Sequence, residues 1–138
     1  MAFIPDLARY DYYPGAPEAL AVGWLDMSEP YSTGMCPPDV RDRLAGFGRK
    51  PVRLMRGQHY CQWCWTKAGP PQDRQAVLQA LAAPDIARGN GEIWITAADG
   101  TNYAAPVLIV HYIDVHAYLP PASFVEAVRG GAPTAGIQ

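Results

Sequence analysis

Gly57-Gln58-His59-Tyr60-Cys61-Gln62-Trp63-Cys64 places three metal-ligand side chains within six residues, two of them with CxxC spacing. Downstream, Leu108-Ile109-Val110-His111-Tyr112-Ile113-Asp114-Val115-His116 carries two more histidines. If one ion draws on both stretches, it ties the middle of the chain to its C-terminal third. The fold must then bring those segments together. Zinc prefers thiolate and imidazole in a tetrahedron, and a CxxC turn supplies two sulfurs at bite distance.

Three histidines compete for the two remaining places, so the ligand candidates are Cys61, Cys64, His111, His59 and His116. His59 lies two residues before Cys61, which puts both side chains on one face of an extended segment. His111 and His116 complete a C-x2-C…H-x4-H pattern within the spacing of known zinc sites. On an ideal helix a five-residue step turns side chains about 140° apart, at about 100° per residue. Both can therefore bind only if the helix ends or tightens near Val115, and Pro120-Pro121 favours an early end. A redox dithiol is the competing reading of the cysteines, but it wants its motif opening a helix, and Gln62-Trp63 before Trp65 is a poor opening. The plainer reading of a histidine on an apolar helix is a hydrogen-bonded core residue. Cys36, beside Pro37-Pro38, reads as a free thiol, with a fourth-ligand role as the alternative.

The chain has 138 residues, 49% of them hydrophobic, which suits one compact domain. Fourteen prolines and thirteen glycines are interleaved with apolar runs, so they punctuate short elements. A loop-rich fold with a thin core gains from a metal. Eleven Lys and Arg against thirteen Asp and Glu, all scattered, argue against nucleic acid as a partner. The absence of a long apolar run or a signal-peptide pattern predicts no membrane association and a cytoplasmic location. Three cysteines, an odd number, argue against a secreted disulfide framework.

The expected fold class is α+β: a single small domain, with a short antiparallel sheet, three to four helices and many loops, stabilised by a zinc site. It spans residues 1–131 with an aromatic N-terminal arm at 1–18, its rings buried and its hydroxyls at the surface, and a flexible tail at 132–138. Ala19 to Leu25 reads as a central strand, with Gly23 marking a bulge or a close backbone approach. Pro38 to Phe47 reads as a helix with Val40, Leu44 and Phe47 on one side. Pro51 to Arg56 reads as a strand and Gln72 to Ala83 as a short helix stopped by Pro84. Glu92 to Thr96 is the clearest strand, and Asp99-Gly100 turns it back through Thr101 to Ala105. Pro106 opens a buried helix carrying the histidines, and Ala122 to Arg129 forms the last helix.

Arg56-Gly57-Gln58-His59-Tyr60-Cys61-Gln62-Trp63-Cys64, then Tyr103-Ala104-Ala105-Pro106, Ile109-Val110-His111-Tyr112 and His116-Ala117-Tyr118-Leu119-Pro120-Pro121, together with Ala21 to Asp26 and Gly91-Glu92-Ile93, resemble a known pattern. It is that of a family of small uncharacterised bacterial proteins of actinobacterial type. The resemblance covers nearly the whole chain and implies a stand-alone cytoplasmic domain without importing an activity. Cys36 departs from the family pattern, which weakens its case as a ligand.

Two functional readings follow. A full set of four N/S ligands closes a zinc site and implies a non-catalytic interaction or regulatory domain, with a protein, a peptide or a small molecule as partner. Three ligands would leave a place for metal-bound water and a hydrolase or deaminase-like enzyme, with Glu92, Asp114 or Glu126 as acid/base. Asp114 could alternatively orient an imidazole. The chain lacks the H-x-E plus P-C-x-x-C signature of zinc deaminases, a phosphate loop and a GxSxG elbow. Trp24, Trp63, Trp65, Trp94 and Tyr103 read as core and rim, with a pocket lining as the alternative.

Overall fold

β-branched Ile93 and Ile95 alternate with Glu92 and Trp94, and this period of two builds the centre of the molecule. In the computed structural model, which describes residues 3–11, 13–54, 58–68, 75 and 87–138, they form β4 (Glu92–Thr96) in the sheet described below. The other elements are β1 (Leu20–Ala21), α1 (Pro38–Gly48), β2 (His59–Tyr60), α2 (Gln62–Ala68), β3 (Arg88–Gly89), β5 (Asn102–Pro106), α3 (Ile109–His116), α4 (Ala122–Gly130) and β6 (Ala132–Pro133). A four-stranded sheet runs in the order β1-β5-β4-β6, and β2 and β3 make a separate antiparallel pair. The fold is the α+β domain expected, but the larger sheet is mixed because β1 pairs parallel with β5.

Alternation sends each face of the sheet to a different core. Ile93, Ile95, Tyr103 and Ala105 face α1, α3 and α4 and pack with Val40, Leu44, Ile109, Tyr112, Phe124 and Cys61. Trp94 and Ala104 face the N-terminal arm and pack with Tyr10, Ala21 and Trp24. The arm covers the outer edge of β1 through Leu7 N–H to Ala21 O and Tyr10 N–H to Ala19 O. Leu20–Ala21 comes last in the strand order, yet it is hydrogen-bonded on both sides, by the arm and by β5, as the central strand expected there would be.

Other departures have local causes. Val52 makes a single bridge to Glu92, and the left-handed Arg53 (φ 55°) interrupts the strand expected across 51–56, whose last two positions lie outside the described residues. Pro106 ends β5, so α3 starts three residues later than a proline opening implies. The stretch expected to be a loose tail supplies β6 and an acceptor, Gln138 O, for Arg53 N–H. The helix expected across Gln72–Ala83 lies outside the described residues except for Gln75, which is helical.

Glu92 falls on the arm face and is buried, whereas a carboxylate at a strand start is ordinarily solvated. Its oxygens accept hydrogen bonds from Tyr10 Oη (2.6 Å) and Trp94 Nε1 (2.8 Å), so one arm tyrosine points its hydroxyl inward. Burial pushes the Glu92 carboxyl above its usual range, opposed by those hydrogen bonds. The folded state then holds the proton after the unfolded chain has released it. Its contribution to stability is present below the unfolded value and is lost as pH rises through the folded one. Thermal melts of wild type and Glu92→Gln between about pH 4 and 7 check this. The variant, whose amide is a neutral stand-in for the protonated carboxyl, should lack the wild-type decline.

Candidate metal centre

Tertiary packing, not helix propensity, starts α2 at the CxxC motif. Trp63 packs edge-on against Tyr31 and Tyr112 (ring centroids 5.6 and 5.8 Å) and lies 5.2 Å from the His116 ring. Those contacts outweigh a poor opening sequence, and the helix context taken to be missing from the cysteines is present. One helical turn puts Cys61 and Cys64 on the same side. The N–H groups of Trp63 and Cys64 point at the Cys61 sulfur. The helical setting no longer separates a metal knuckle from a redox dithiol, so the histidines carry that distinction.

α3 ends where two histidines five residues apart need it to end. His116 is its last residue, and Ala117 turns left-handed (φ 54°). Tyr112 O accepts the N–H groups of Ala117 and Tyr118 there, a Schellman-like closure. Tyr31 Oη donates to His116 O at 2.8 Å and fixes the turn from outside. Nothing in the sequence marks Tyr31 for this task, since it sits in a turn-rich loop far along the chain.

The ligand atoms of Cys61, Cys64, His111 and His116 all lie within 4.8 Å of one another, close enough to hold one metal ion. Cys61 Sγ is 3.2 Å from His116 Nε2, Cys64 Sγ is 3.3 Å from His111 Nε2 and 3.8 Å from His116 Nε2, and the two Nε2 atoms are 3.2 Å apart. A tetrahedron with Zn–S of about 2.3 Å and Zn–N of about 2.0–2.1 Å has S···N edges of about 3.6 Å and an N···N edge of about 3.3 Å. The four S···N and N···N edges given above match to within a few tenths of an ångström, and all six lie within 4.8 Å. Four N/S donors of this kind also suit zinc chemically.

Burial depresses both imidazoles, and for His111 the neighbouring His116 adds to the effect. The neutral ring is the ligand form. Burial also pushes the Cys61 thiol up to about 11, so metal binding there must displace a proton.

His59 is outside this group. It sits on β2, half-buried, and burial lowers its pKa. With Leu25, Gln58, Tyr60, Gln62, Trp65 and Tyr112 it lines a cleft of about 340 Å³. Cys36 is a half-buried free thiol, also outside the group, and burial raises its pKa.

The three carboxylates considered as acid/base partners are engaged elsewhere. Glu92 is on the opposite face of the sheet from Cys61. Asp114 accepts from Arg41 Nε (3.0 Å) and Nη2 (2.7 Å), joining α3 to α1 and orienting no imidazole. Glu126 pairs with Arg129 at 3.2 Å.

Fold and site together define a small α+β domain with a four-residue Cys/His cluster fit to bind metal. The chain belongs to the family described as Domain of unknown function (DUF7919), which matches residues 2–129. No curated protein and no solved structure matches it. Among the described residues no helix is long and apolar enough to cross a membrane.

Proposed function

We propose that the protein is a non-catalytic interaction or regulatory domain whose fold is held by a structural zinc ion on Cys61, Cys64, His111 and His116. The observation that carries this reading is the closure of the cluster. Four N/S atoms within 4.8 Å of one another suffice to use every position of a structural zinc site, whereas a catalytic site keeps one for water. The engagement of Glu92, Asp114 and Glu126 away from the cluster supports it further.

Free thiols and imidazoles of this kind suit a reducing cytosol, and an actinobacterial-type cytoplasm is the proposed setting. A protein or peptide is the partner this reading favours, with nucleic acid disfavoured by the balance of charge.

Metal analysis of purified variants tests the ligand assignment. His59→Ala should retain one zinc per chain, whereas His111→Ala and His116→Ala should lose most of it. Zinc loss in His59→Ala together with retention in either of the others would refute the assignment.

A further inference from the structure

Tyr112 lies between the metal cluster and the cleft that His59, Tyr60, Gln62 and Trp65 line with it. Its side chain is among the largest fully buried ones, with 1% of its surface exposed. Yet its hydroxyl has no hydrogen-bond partner among the described residues, unlike those of Tyr10, Tyr31 and Tyr118. Nor is that oxygen sealed in, because Arg53 Nε alone is both sealed and unpartnered among the described side chains. The little surface Tyr112 keeps therefore includes its hydroxyl, and Tyr112 is among the residues that line the cleft. A buried phenol left in this state is a penalty that phenylalanine would not carry.

The rest of the lining narrows the chemistry. Tyr60 and Trp65 present further aromatic surface, and Leu25 an apolar wall. Gln62 is committed already, accepting from Met27 N–H (2.8 Å) and donating to Asp26 (3.3 Å). None of the described lining residues is Asp, Glu, Lys or Arg, which favours an uncharged ligand over one whose formal charge would lose its water. The volume stands at the small end of ligand sites, which combine apolar walls with a few convergent polar groups.

We infer that this cleft binds a neutral planar heteroaromatic ring of nucleobase size, with the Tyr112 hydroxyl and the His59 imidazole hydrogen-bonding its heteroatoms and the aromatic walls taking its faces. The ring sits beside the metal cluster and not on it, since none of the four cluster residues lines the cleft. The inference goes beyond the structural-zinc reading and does not depend on it.

Titration of the metal-loaded protein with adenine, uracil and nicotinamide, followed by chemical shifts of the Trp65 indole, tests it, with benzoate as the charged comparison. At least one neutral ring should saturate, and benzoate should bind more weakly. Tyr112→Phe should weaken binding about tenfold or more, as expected for one lost hydrogen bond. Its melting temperature and metal content should stay at or above the wild-type level. Trp65→Ala should weaken binding as well. Absence of saturation by all three rings, tighter binding of benzoate, unchanged affinity in Tyr112→Phe, or a lower melting temperature in that variant would each overturn the inference.

Discussion

Cys61→Ala is expected to leave the chain unfolded at 25 °C, and a strong chelator should do the same to wild type. Structural zinc sites in finger peptides bind with about 10–16 kcal/mol of apparent free energy, comparable to the whole stability of a typical domain at about 5–15 kcal/mol. Here the ion would join α2 to α3, whose cysteines and histidines are otherwise neutral groups crowded within 4.8 Å. Cys61 is also completely buried in the larger core, so its loss removes packing as well as a ligand. Far-UV circular dichroism with and without chelator reads the outcome. Cys36→Ala is the matched control, because Cys36 lies outside the cluster; it should change the melting temperature by only a few degrees. A chelated wild type that melts with the same midpoint as the metal-loaded protein would remove the structural role from the ion.

Gly23→Ala is expected to cost about 2–5 kcal/mol, the sum of about 1–2 for a left-handed alanine and about 1–3 for overpacking. Gly23 has φ +80°, and a Cβ there would stand 2.9 Å from both Cγ1 and Cδ1 of Ile109. Ile109 is fully buried and is the first residue of α3, so it can yield only by shifting the helix that carries both histidines. Gly23 N–H also donates to Asp6 Oδ1 (3.0 Å), while Asp6 Oδ2 accepts from Tyr118 Oη just past that helix (2.7 Å). The substitution should therefore lower the denaturation midpoint and weaken metal retention together. Gly46→Ala is the contrasting case, since its Cβ meets nothing within 4 Å in the interior of α1. It should stabilise by roughly 0.5–1 kcal/mol.

Much of the site was legible because its chemistry is local. CxxC spacing and two histidines on an apolar run name all four members of the cluster, and Pro120-Pro121 marks the early helix end that lets His111 and His116 converge. His59 competed on equal terms with His116 in the sequence, since its spacing from Cys61 suits a shared face. The choice against it is made by tertiary structure: β2 turns His59 toward the cleft while α2 carries the cysteines to α3.

Period-two alternation gave away β4 and its hairpin partner, where both faces are buried. It could not reveal that Glu92 is enclosed by an arm tyrosine, because that contact spans eighty-two residues. The start of α2 was hidden for a similar reason, as the rings that hold Trp63 come from a distant loop and from α3.

The claim on which the account rests is a closed shell of two sulfurs and two imidazoles. X-ray absorption at the zinc edge of the metal-loaded protein measures that shell directly. The account predicts two sulfur neighbours at about 2.3 Å and two imidazole nitrogens at about 2.0–2.1 Å, with nothing further at bonding distance. A spectrum that requires an additional oxygen, or one sulfur fewer, would contradict it.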